Sequence, residues 1–325
     1  MESLSLAELD RRAHEFDQAV ASTPAIDHFC SSTAWVLPAA AALMPARRSW
    51  ILRGDAGWFA GMLGRHPSGM VYVEPLELAW GLASPLAGAD APALAAELAA
   101  HVAREREWDV LLVPGLPHDG PLLPALLEAL PPRWERRWGQ STVRHLASLD
   151  GGVDGFLARR SRNFRKALRA SLRDAADAGV RFVTARATTA EEGEALYQRI
   201  LAVEARSWKA RDGVGITAPG MREFYQLMIQ RLAPRGWQRT VFAQRDGVDV
   251  AYVLGAVWGG EYRGLQFSYD DDHAALSLGS LCQYHQIVEL CAEGVLHYDL
   301  GTDMDYKRRW AEARLETALL VVIAR

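Results

Sequence analysis

The sequence predicts an α/β (α+β) protein built from two domains. Its 325 residues, half of them hydrophobic, are too many for one ordinary core and suit two domains of roughly 150 residues. From Met70 onward, strand and helix patterns alternate along the chain. The stretch Glu261–Trp310 continues this alternation as strand, loop, helix, strand and helix. We therefore predict domains at residues 1–150 and 151–325, with a break near Asp150–Asp154.

The first domain is predicted to open with an amphipathic helix, because Leu6, Leu9 and Ala13 recur at helical spacing. Glycines in Gly54–Gly57 indicate a hairpin, and Asp90–Pro92 supplies an N-cap and a first-turn proline for an alanine-rich helix. In chain order, the other predicted elements are the hairpin strands Trp50–Arg53 and Trp58–Leu63, a strand at Met70–Val73, the alanine-rich helix to about Glu107, a strand at Asp109–Val113, a helix at Pro121–Leu130, and one or two strands from Arg133 to Leu149.

The second domain is predicted to repeat this order of element types. It begins with a helix that has an apolar face and a basic face and that ends at Gly179. Its other predicted elements are strands at Val180–Ala185, Arg239–Gln244, Val248–Val257, Tyr262–Asp270, Val295–Leu300 and Leu315–Arg325, and helices at Glu191–Trp208, Met221–Leu232, Ser277–Glu293 and Asp303–Arg314. Two copies of one architecture are the simplest interpretation.

The composition excludes several classes of protein. A net charge of −4 does not suit a protein that coats nucleic acid or an anionic membrane with its whole surface. The three cysteines, Cys30, Cys282 and Cys291, form no paired framework, which favours a reducing compartment. The first residues do not resemble a signal peptide, and the apolar run Ala318–Ala324 is too short to span a bilayer. We expect a cytoplasmic protein that has no membrane partner.

Several motifs occur in a fixed order within Ser161–Trp310. They are Ser161-Arg-Asn-Phe-Arg-Lys-Ala-Leu-Arg169 with Gly179, Glu204-Ala-Arg-Ser-Trp-Lys209, the strand pair around Gly247, Tyr269-Asp270, Leu276-Ser-Leu-Gly-Ser280, and Gly301–Trp310 with Tyr306-Lys307. Together they resemble the Gcn5-related N-acetyltransferase (GNAT) fold. They are similar to its tandem form in the acetyltransferase domain associated with cellulose biosynthesis and, more distantly, to the Fem peptidoglycan aminoacyltransferases. The resemblance implies two tandem GNAT-like domains, each a mixed central sheet flanked by helices. The first shows no comparable motif, so we expect it to lack an active site and to shape the acceptor cleft.

Two features depart from the family's pattern. The usual phosphate loop, a Gln or Arg followed by two spaced glycines, is reduced to Ser-Leu-Gly-Ser at Ser277–Ser280. The long helical arm of some Fem enzymes has no counterpart, because Met221–Leu232 has the length of an ordinary helix.

The resemblance implies a thioester site between two splayed strands, Tyr262–Tyr269 and Val295–Leu300. An amine that attacks a thioester requires donors for the developing oxyanion and a proton for the departing thiolate. Backbone amides of Gln266, Phe267 and Ser268 are the candidate donors. Gly264 is predicted to mark a bulge in this strand, although an ordinary hairpin glycine explains it equally well.

The helix predicted to begin at Ser277 is the candidate phosphate site. Free amides at its positive end could bind the pyrophosphate of coenzyme A, and Gly279 would let a phosphate approach the backbone. Ser277, Gly279 and Ser280 are therefore candidate residues for binding acetyl-CoA or another acyl-CoA. The alternative is that Ser277 only caps the helix and Gly279 fills a tight contact.

The resemblance also implies catalytic roles near the last predicted helix. Tyr306 is the candidate proton donor to the thiolate, and Lys307 the candidate donor to the tetrahedral intermediate or the substrate. Thr302–Asp305 resembles a capping box, and the alternative for Asp303 and Lys307 is a surface i,i+4 ion pair. Asp270 is the candidate acceptor of the amine proton, although the acidic turn it begins is more often only solvated.

The remaining candidates concern the substrate, metals and nucleic acid. Glu204, Trp208 and Asp303 are candidate substrate residues, and no metal is expected because Cys282 and His285 lack further ligands. The run Arg159–Arg173 carries seven basic residues and no acid; it could bind CoA phosphates, an acidic acceptor or a tRNA stem, but a solvated helix face is favoured.

The predicted function is N-acyl transfer from acyl-CoA to a primary amine of a small molecule or peptide. The alternatives are a Fem-type transferase that uses aminoacyl-tRNA and a non-catalytic tandem protein that binds a ligand or partner. The acceptor, the acyl group, the general base and the oligomeric state are left open by the sequence.

Overall fold

A computed structural model describes residues 1–105 and 107–324 of the chain. Arg106, within the predicted alanine-rich helix, and Arg325, the last residue of the predicted closing strand, lie outside the described residues. The chain divides into two units: unit 1 is Met1–Val143 with the C-terminal segment from Leu315 onward, and unit 2 is Arg144–Arg314. This division differs from the prediction, which placed the C-terminal segment in the second domain.

Unit 1 contains helices and a mixed sheet. The helices are α1 (Leu6–Arg11), α2 (Ala13–Ser22), α3 (His28–Ser31), α4 (Thr33–Leu43), α5 (Ala91–Arg104) and α6 (Leu122–Ala129). The strands are β1 (Glu2–Leu4), β2 (Arg48–Arg53), β3 (Trp58–Arg65), β4 (Val71–Pro75), β5 (Leu86–Ala87), β6 (Val110–Pro117), β7 (Glu135–Trp138) and most of the C-terminal strand Ala313–Ile323. Strands β2, β3 and β4 are antiparallel neighbours, and α5 then connects β4 to the parallel strand β6.

Unit 2 repeats this order with longer strands. Its strands are β8 (Thr142–Ser148), β9 (Arg181–Ala185), β10 (Gln238–Arg245), β11 (Val248–Trp258), β12 (Glu261–Tyr269) and β13 (His297–Thr302). The C-terminal strand Ala313–Ile323, most of which belongs to unit 1, is β14. Its helices are α7 (Gly152–Ala158), α8 (Arg162–Asp177), α9 (Ala190–Glu204), α10 (Trp208–Arg211), α11 (Met221–Leu232) and α12 (Leu278–Ala292), with 3₁₀ helices η1 (Gly215–Thr217), η2 (Asp271–Leu276) and η3 (Asp305–Arg309).

The sheet of unit 2 has the strand order β8-β13-β12-β11-β10-β9. Strands β10, β11 and β12 form an antiparallel meander, and α12 then crosses over so that β13 runs parallel to β12. A crossover helix is required here, because parallel neighbours cannot be joined by a tight turn. The predicted fold class, a mixed sheet flanked by helices and repeated twice, is confirmed.

Helix α8 is the basic helix of the sequence analysis. The Ser161 hydroxyl accepts a hydrogen bond from the Phe164 amide and caps its first turn, and Gly179, in the left-handed conformation, follows its end. Leu168 and Ala175 on its apolar face are buried in a core shared with Leu281 of α12. Packing of this face places α8 beside the first turns of α12.

The predicted helix Asp303–Arg314 is wrong. The chain forms only the short 3₁₀ helix η3 there, and β14 begins at Ala313. The predicted capping box does not form, because Thr302 still belongs to β13 and the Asp303 carboxylate accepts hydrogen bonds from His145 and Arg308. Met304 occupies the N-cap position of η3 without a side-chain hydrogen bond.

Membrane-spanning helices were searched for in the described residues. Over 1–105 and 107–324, every helix is too short or too polar to cross a bilayer.

Candidate active site

Strands β12 and β13 separate within unit 2. They pair from Glu261 with His297 to Arg263 with Asp299, and over the described residues their register ends there. Beyond this point β12 continues alone beside β11. We call the space between Gly264–Tyr269 of β12 and Leu300–Thr302 of β13 the strand gap.

A bulge in β12 coincides with the start of the strand gap. Leu254 of β11 pairs with Gln266, whereas the next residue, Gly255, pairs with Gly264, so Leu265 is the extra residue. Gly264 is required by space, because a Cβ atom there would lie 2.9 Å from the Tyr298 ring. The bulge predicted from Gly264 is present.

The alternation of hydrogen bonds determines which peptide groups face the strand gap. The Asp270 amide donates to the Val250 carbonyl, and Ser268 lies two residues earlier, opposite Tyr252. In an antiparallel pair every second residue bonds to the neighbour, so Phe267 directs its N–H and C=O to the other edge, into the strand gap. The prediction that Gln266 and Ser268 also present their amides there is wrong, because those amides face β11.

Lys307 lies where β13 leaves the strand gap. Its side chain is only 7% exposed, and its Nζ donates to the Thr302 carbonyl at 2.6 Å. Burial lowers the pKa of Lys307 to about 8; Asp299 opposes this shift and the positive charge of Arg263 adds to it. The alternative interpretation, an Asp303–Lys307 surface pair, is wrong, because Lys307 is buried and Asp303 binds His145 and Arg308.

A buried ionic cluster holds the adjoining part of β13. Oδ2 of the fully buried Asp299 accepts hydrogen bonds from both Arg144 and Arg263. Its Oδ1 accepts the Gly301 amide at 2.7 Å, and Gly301 has a left-handed φ of 77°. Gly301 in turn faces Lys307, since a Cβ atom on it would lie 3.6 Å from Nζ. The cluster therefore determines the backbone against which Lys307 packs.

Tyr306 packs against Phe267 of β12. Its ring meets that of Phe267 edge to face, with 5.4 Å between centroids. Burial raises the pKa of Tyr306, so the phenol stays protonated at neutral pH. That protonation state is the one a proton donor requires.

Asp270 is held as a structural ion. Oδ2 accepts a hydrogen bond from Arg206 Nε at 2.5 Å, and Oδ1 accepts the Asp272 amide at 3.1 Å, which caps η2. Burial alone would raise the pKa of Asp270, but the Arg206 and Asp272 hydrogen bonds outweigh it and the pKa is lowered. A carboxylate with a lowered pKa is a weak base, which disfavours the predicted role of Asp270.

The predicted substrate residues lie in different surroundings. Glu204 is fully buried, where its carboxylate accepts hydrogen bonds from the Tyr252 hydroxyl and the Ile216 amide. Trp208 is 38% exposed at the start of α10. Asp303 accepts hydrogen bonds from Arg308 and His145. These bonds, that from Arg308 more than that from His145, lower the pKa of Asp303 to about 2.

Lys209 is a residue of the site for which its sequence motif, Glu204–Lys209, predicted no role. Its Nζ donates to Gln266 Oε1 at 2.7 Å and to the Phe267 carbonyl at 2.6 Å. A signal was present in the composition. The chain has 36 lysine and arginine residues, of which only Lys166, Lys209 and Lys307 are lysines, and two of these three adjoin the strand gap.

The first turn of α12 differs from the predicted phosphate loop. Ser277 has a left-handed φ of 54° and makes no side-chain cap, so the helix begins at Leu278. The Ser280 amide donates to the Ser277 carbonyl and is not free, which contradicts the prediction for Ser280. Gly279 is needed for packing, because a Cβ atom there would lie 2.6 Å from the Phe267 ring.

A cavity of about 380 Å³ adjoins this turn. Serine hydroxyls, one amide and one guanidinium contribute its polar lining. The lining residues are Ser161, Asn163, Phe164, Ala167, Leu168, Ser171, Ser277, Ser280, Leu281, Arg309 and Trp310. The exposed side of α8 beside it carries four basic side chains, Arg162, Lys166, Arg169 and Arg173. A phosphate-bearing ligand fits this combination of hydroxyl donors, a helix N-terminus and nearby positive charge.

Cys282 and His285 serve packing. Cys282 is fully buried in the core below α8, and burial raises its pKa. The His285 ring stacks on Phe182 with 3.9 Å between centroids.

Comparison with known families finds a match within unit 2. Residues 162–308 match the sequence profile of a family described as Acetyltransferase (GNAT) domain. Over this range unit 2 is therefore similar to GNAT domains. The match begins at α8 and ends within η3, so it includes both sides of the strand gap. The similarity to the GNAT fold supports the prediction that the protein is a transferase.

Solved structures show the same fold over the whole chain. A conserved protein of unknown function from Bacteroides thetaiotaomicron has a TM-score of 0.66 at 11% identity, covering 99% of each chain. FemX has a TM-score of 0.63 at 14% identity, covering 98% of this chain and 97% of FemX. L-PGS from Bacillus licheniformis has a TM-score of 0.54 at 10% identity, covering 85% and 84%. No curated protein sequence matches this one significantly. The chain thus has a tandem GNAT fold that resembles Fem-type transferases.

Proposed function

We propose that unit 2 is an N-acyltransferase that moves an acetyl or other short acyl group from acyl-CoA to a primary amine by direct attack. The observation that carries this proposal is the strand gap, into which the Phe267 peptide of β12 directs its N–H and at whose β13 side the buried Lys307 binds the Thr302 carbonyl. A donor N–H and a cation at one opening suit the stabilisation of a developing oxyanion.

Acyl-CoA supplies the acyl group as an activated thioester. In the proposed reaction Phe267 N–H and Lys307 stabilise the charge on the acyl oxygen, and Tyr306 gives a proton to the departing thiolate. The proton that the attacking nitrogen loses passes through water and restores the Tyr306 phenol. The hydroxyls of the cavity and the amides of Leu278 and Gly279 bind the phosphates. Because Asp270 is a weak base, the acceptor enters as the neutral amine.

The test is binding and turnover with purified protein. We expect acetyl-CoA or another short acyl-CoA to raise the melting temperature, and thiol release to depend on an added amine. Lys307→Met should abolish turnover while the protein stays folded, and Arg245→Met, at the exposed end of β10, should not. No thermal shift with any of several acyl-CoAs at saturation would contradict the proposal, and binding without turnover would favour a non-catalytic protein.

One observation favours a second candidate, a Fem-type transferase whose donor is aminoacyl-tRNA. Among the described residues, no carboxylate lies within 4.0 Å of the charged groups of Arg162, Lys166, Arg169 or Arg173, so this face of α8 is available to a polyanion. Activity that requires charged tRNA and is lost after ribonuclease treatment would establish this candidate. Activity that survives ribonuclease and follows the concentration of CoA thioesters would exclude it.

A further inference from the structure

Lys209 presents a donor at the edge of β12. An ammonium group has three N–H donors, and two of them go to Gln266 Oε1 and the Phe267 carbonyl. Within residues 1–105 and 107–324, these carbonyls are its hydrogen-bond acceptors and no carboxylate lies within 4.0 Å of it. The side chain is half-buried, and its two acceptors leave one N–H of the ammonium for a ligand.

The ammonium of Lys209 is held in a fixed position. Gly215, with a left-handed φ of 78°, closes over it so tightly that a Cβ atom there would lie 3.1 Å from Lys209 Cδ and 2.4 Å from Glu204 Oε1. Its Nζ also lies 5.4 Å from the centroid of the Phe267 ring, a cation–π contact. A fixed, partly desolvated cation binds an anion more strongly than a mobile surface lysine does.

Lys209 reaches the edge of β12 from the face of the sheet opposite α12. Phe267 and Tyr269 point toward α12, because both rings lie close to Gly279. Side chains alternate along a strand, so Gln266 points to the other face, where Lys209 meets it. In the proposed function the donor's phosphates bind beside α12. An anion at Lys209 is therefore part of the acceptor.

The acceptor's amine and this anion must be close together. The N–H and C=O of Phe267 leave the same edge of β12 within about one residue rise, roughly 3.3 Å. The N–H is proposed to bind the acyl oxygen, next to the carbon that the amine attacks, and the C=O binds Lys209. Only a few covalent bonds can separate the amine from a group that reaches the third N–H of Lys209.

From these contacts we infer that Lys209 binds the carboxylate of the acceptor and that the acceptor is an α- or β-amino acid. This inference rests on the proposed function. A carboxylate suits a single remaining N–H, whereas a phosphate is better matched by the paired donors of arginine, which this chain uses almost everywhere else.

The experiment compares amino acids with their uncharged amides. Binding of the twenty common L-amino acids and β-alanine is measured by calorimetry without acyl donor, and each acid that binds is paired with its carboxamide. We expect at least tenfold weaker binding of the amide to the wild type. Lys209→Met should weaken binding of the acid about 10- to 100-fold, without changing that of the amide. Lys209→Arg should retain part of the preference, and Arg245→Met, at the exposed end of β10, should retain all of it.

Equal binding of acid and amide, equal loss of both in Lys209→Met, or no binding of any amino acid would overturn the inference. Failure of the proposed function has a different signature. If amino acids bind through Lys209 but no acyl-CoA is consumed, the carboxylate site stands and the acyl-CoA reaction does not. If simple amines without a carboxylate are acylated as fast as amino acids, the reaction stands and the carboxylate site does not.

Discussion

At the scale of single residues, Lys307 is defined by burial. An ammonium in this position is withdrawn from water and compensated by the Thr302 carbonyl and the more distant Asp299. Below about pH 8 the folded protein must hold this charge, whereas the unfolded chain keeps it in water. A lysine with a lowered pKa therefore reduces stability at neutral pH and ceases to do so as the pH rises toward its ordinary value.

The first prediction concerns the pH dependence of stability. The folded pKa of Lys307 is about 8 against an ordinary 10.5, so wild-type stability should rise between these values relative to Lys307→Met. The full difference corresponds to about 3 kcal/mol as an upper bound. Urea unfolding of both proteins from pH 7 to 10.5 measures it. A wild-type-minus-variant difference that stays flat over this interval would show that Lys307 is not desolvated.

The second prediction concerns Asp270, whose carboxylate is engaged by Arg206 and the Asp272 amide. Asp270→Asn should leave kcat within about threefold of wild type, because loss of a true general base costs 10²-fold or more. Stability should fall by about 1 kcal/mol, since Arg206 is partly exposed and its pair is screened. Steady-state kinetics and thermal unfolding of the variant decide between the two roles, and a hundredfold loss of kcat would reinstate Asp270 as the base.

At the scale of elements, three residues of β12, Gln266–Ser268, connect the parts of the site, and we call them the Phe267 segment. Its ring contacts Gly279 of α12 and Tyr306 of η3, its carbonyl binds Lys209 of α10, and its N–H faces the strand gap. The bulge at Leu265 sets this register, because one extra residue determines which peptides face β11 and which face outward. A displacement of this short segment would therefore disturb several contacts at once.

The third prediction tests this dependence through Gly279. Gly279→Ala places a methyl group 2.6 Å from the Phe267 ring, so the ring must move and its peptide with it. We expect a stability loss of about 1–3 kcal/mol and a KM for acyl-CoA raised about tenfold or more. The matched control is Gly193→Ala in α9, where the nearest atom would be 3.2 Å away and belongs to another alanine. Similar KM values in both variants would contradict the proposed role of the Phe267 segment.

At the scale of the whole molecule, periodicity predicted the alternation of strands and helices, and the element order of β10 to β13 follows it. Helix α4 was missed because it is buried on nearly every side and contains Pro38, which leaves no amphipathic period to detect. The Lys209–Phe267 contact joins residues 58 apart in the chain, and neither sequence spacing nor periodicity encodes such a distance. Lys307 was found only through the family resemblance, because its burial depends on how β13 ends.

The C-terminal strand shows the same limit on a larger scale. Its apolar pattern predicted a strand, but the partners of that strand lie far away in the chain. Leu320 pairs with Val113 of β6 on one side and Trp138 of β7 on the other, so β14 is an internal strand of the unit 1 sheet. Local sequence gives the type of element, and only the folded sheet gives its neighbours.

The fourth prediction follows from this pairing. A chain ending after Arg314 lacks the strand between β6 and β7 and should leave unit 1 unable to complete its sheet. Limited proteolysis with mass spectrometry should find early cleavage within residues 1–143, while 144–314 resist for longer. Equal protection of both segments in the shortened chain would contradict the assignment of β14 to unit 1.

The scarcity of lysine has a practical consequence. Reagents that modify primary amines have only the three lysines and the terminal amino group to attack, and Lys166 is the one fully exposed side chain among those lysines. After Lys166 is replaced by arginine, a fluorescent or biotin ester would report on the opening of the strand gap through Lys209 and Lys307, with the terminal amino group as the remaining background. A single substitution thus turns the lysines of the site into sensors of its occupancy.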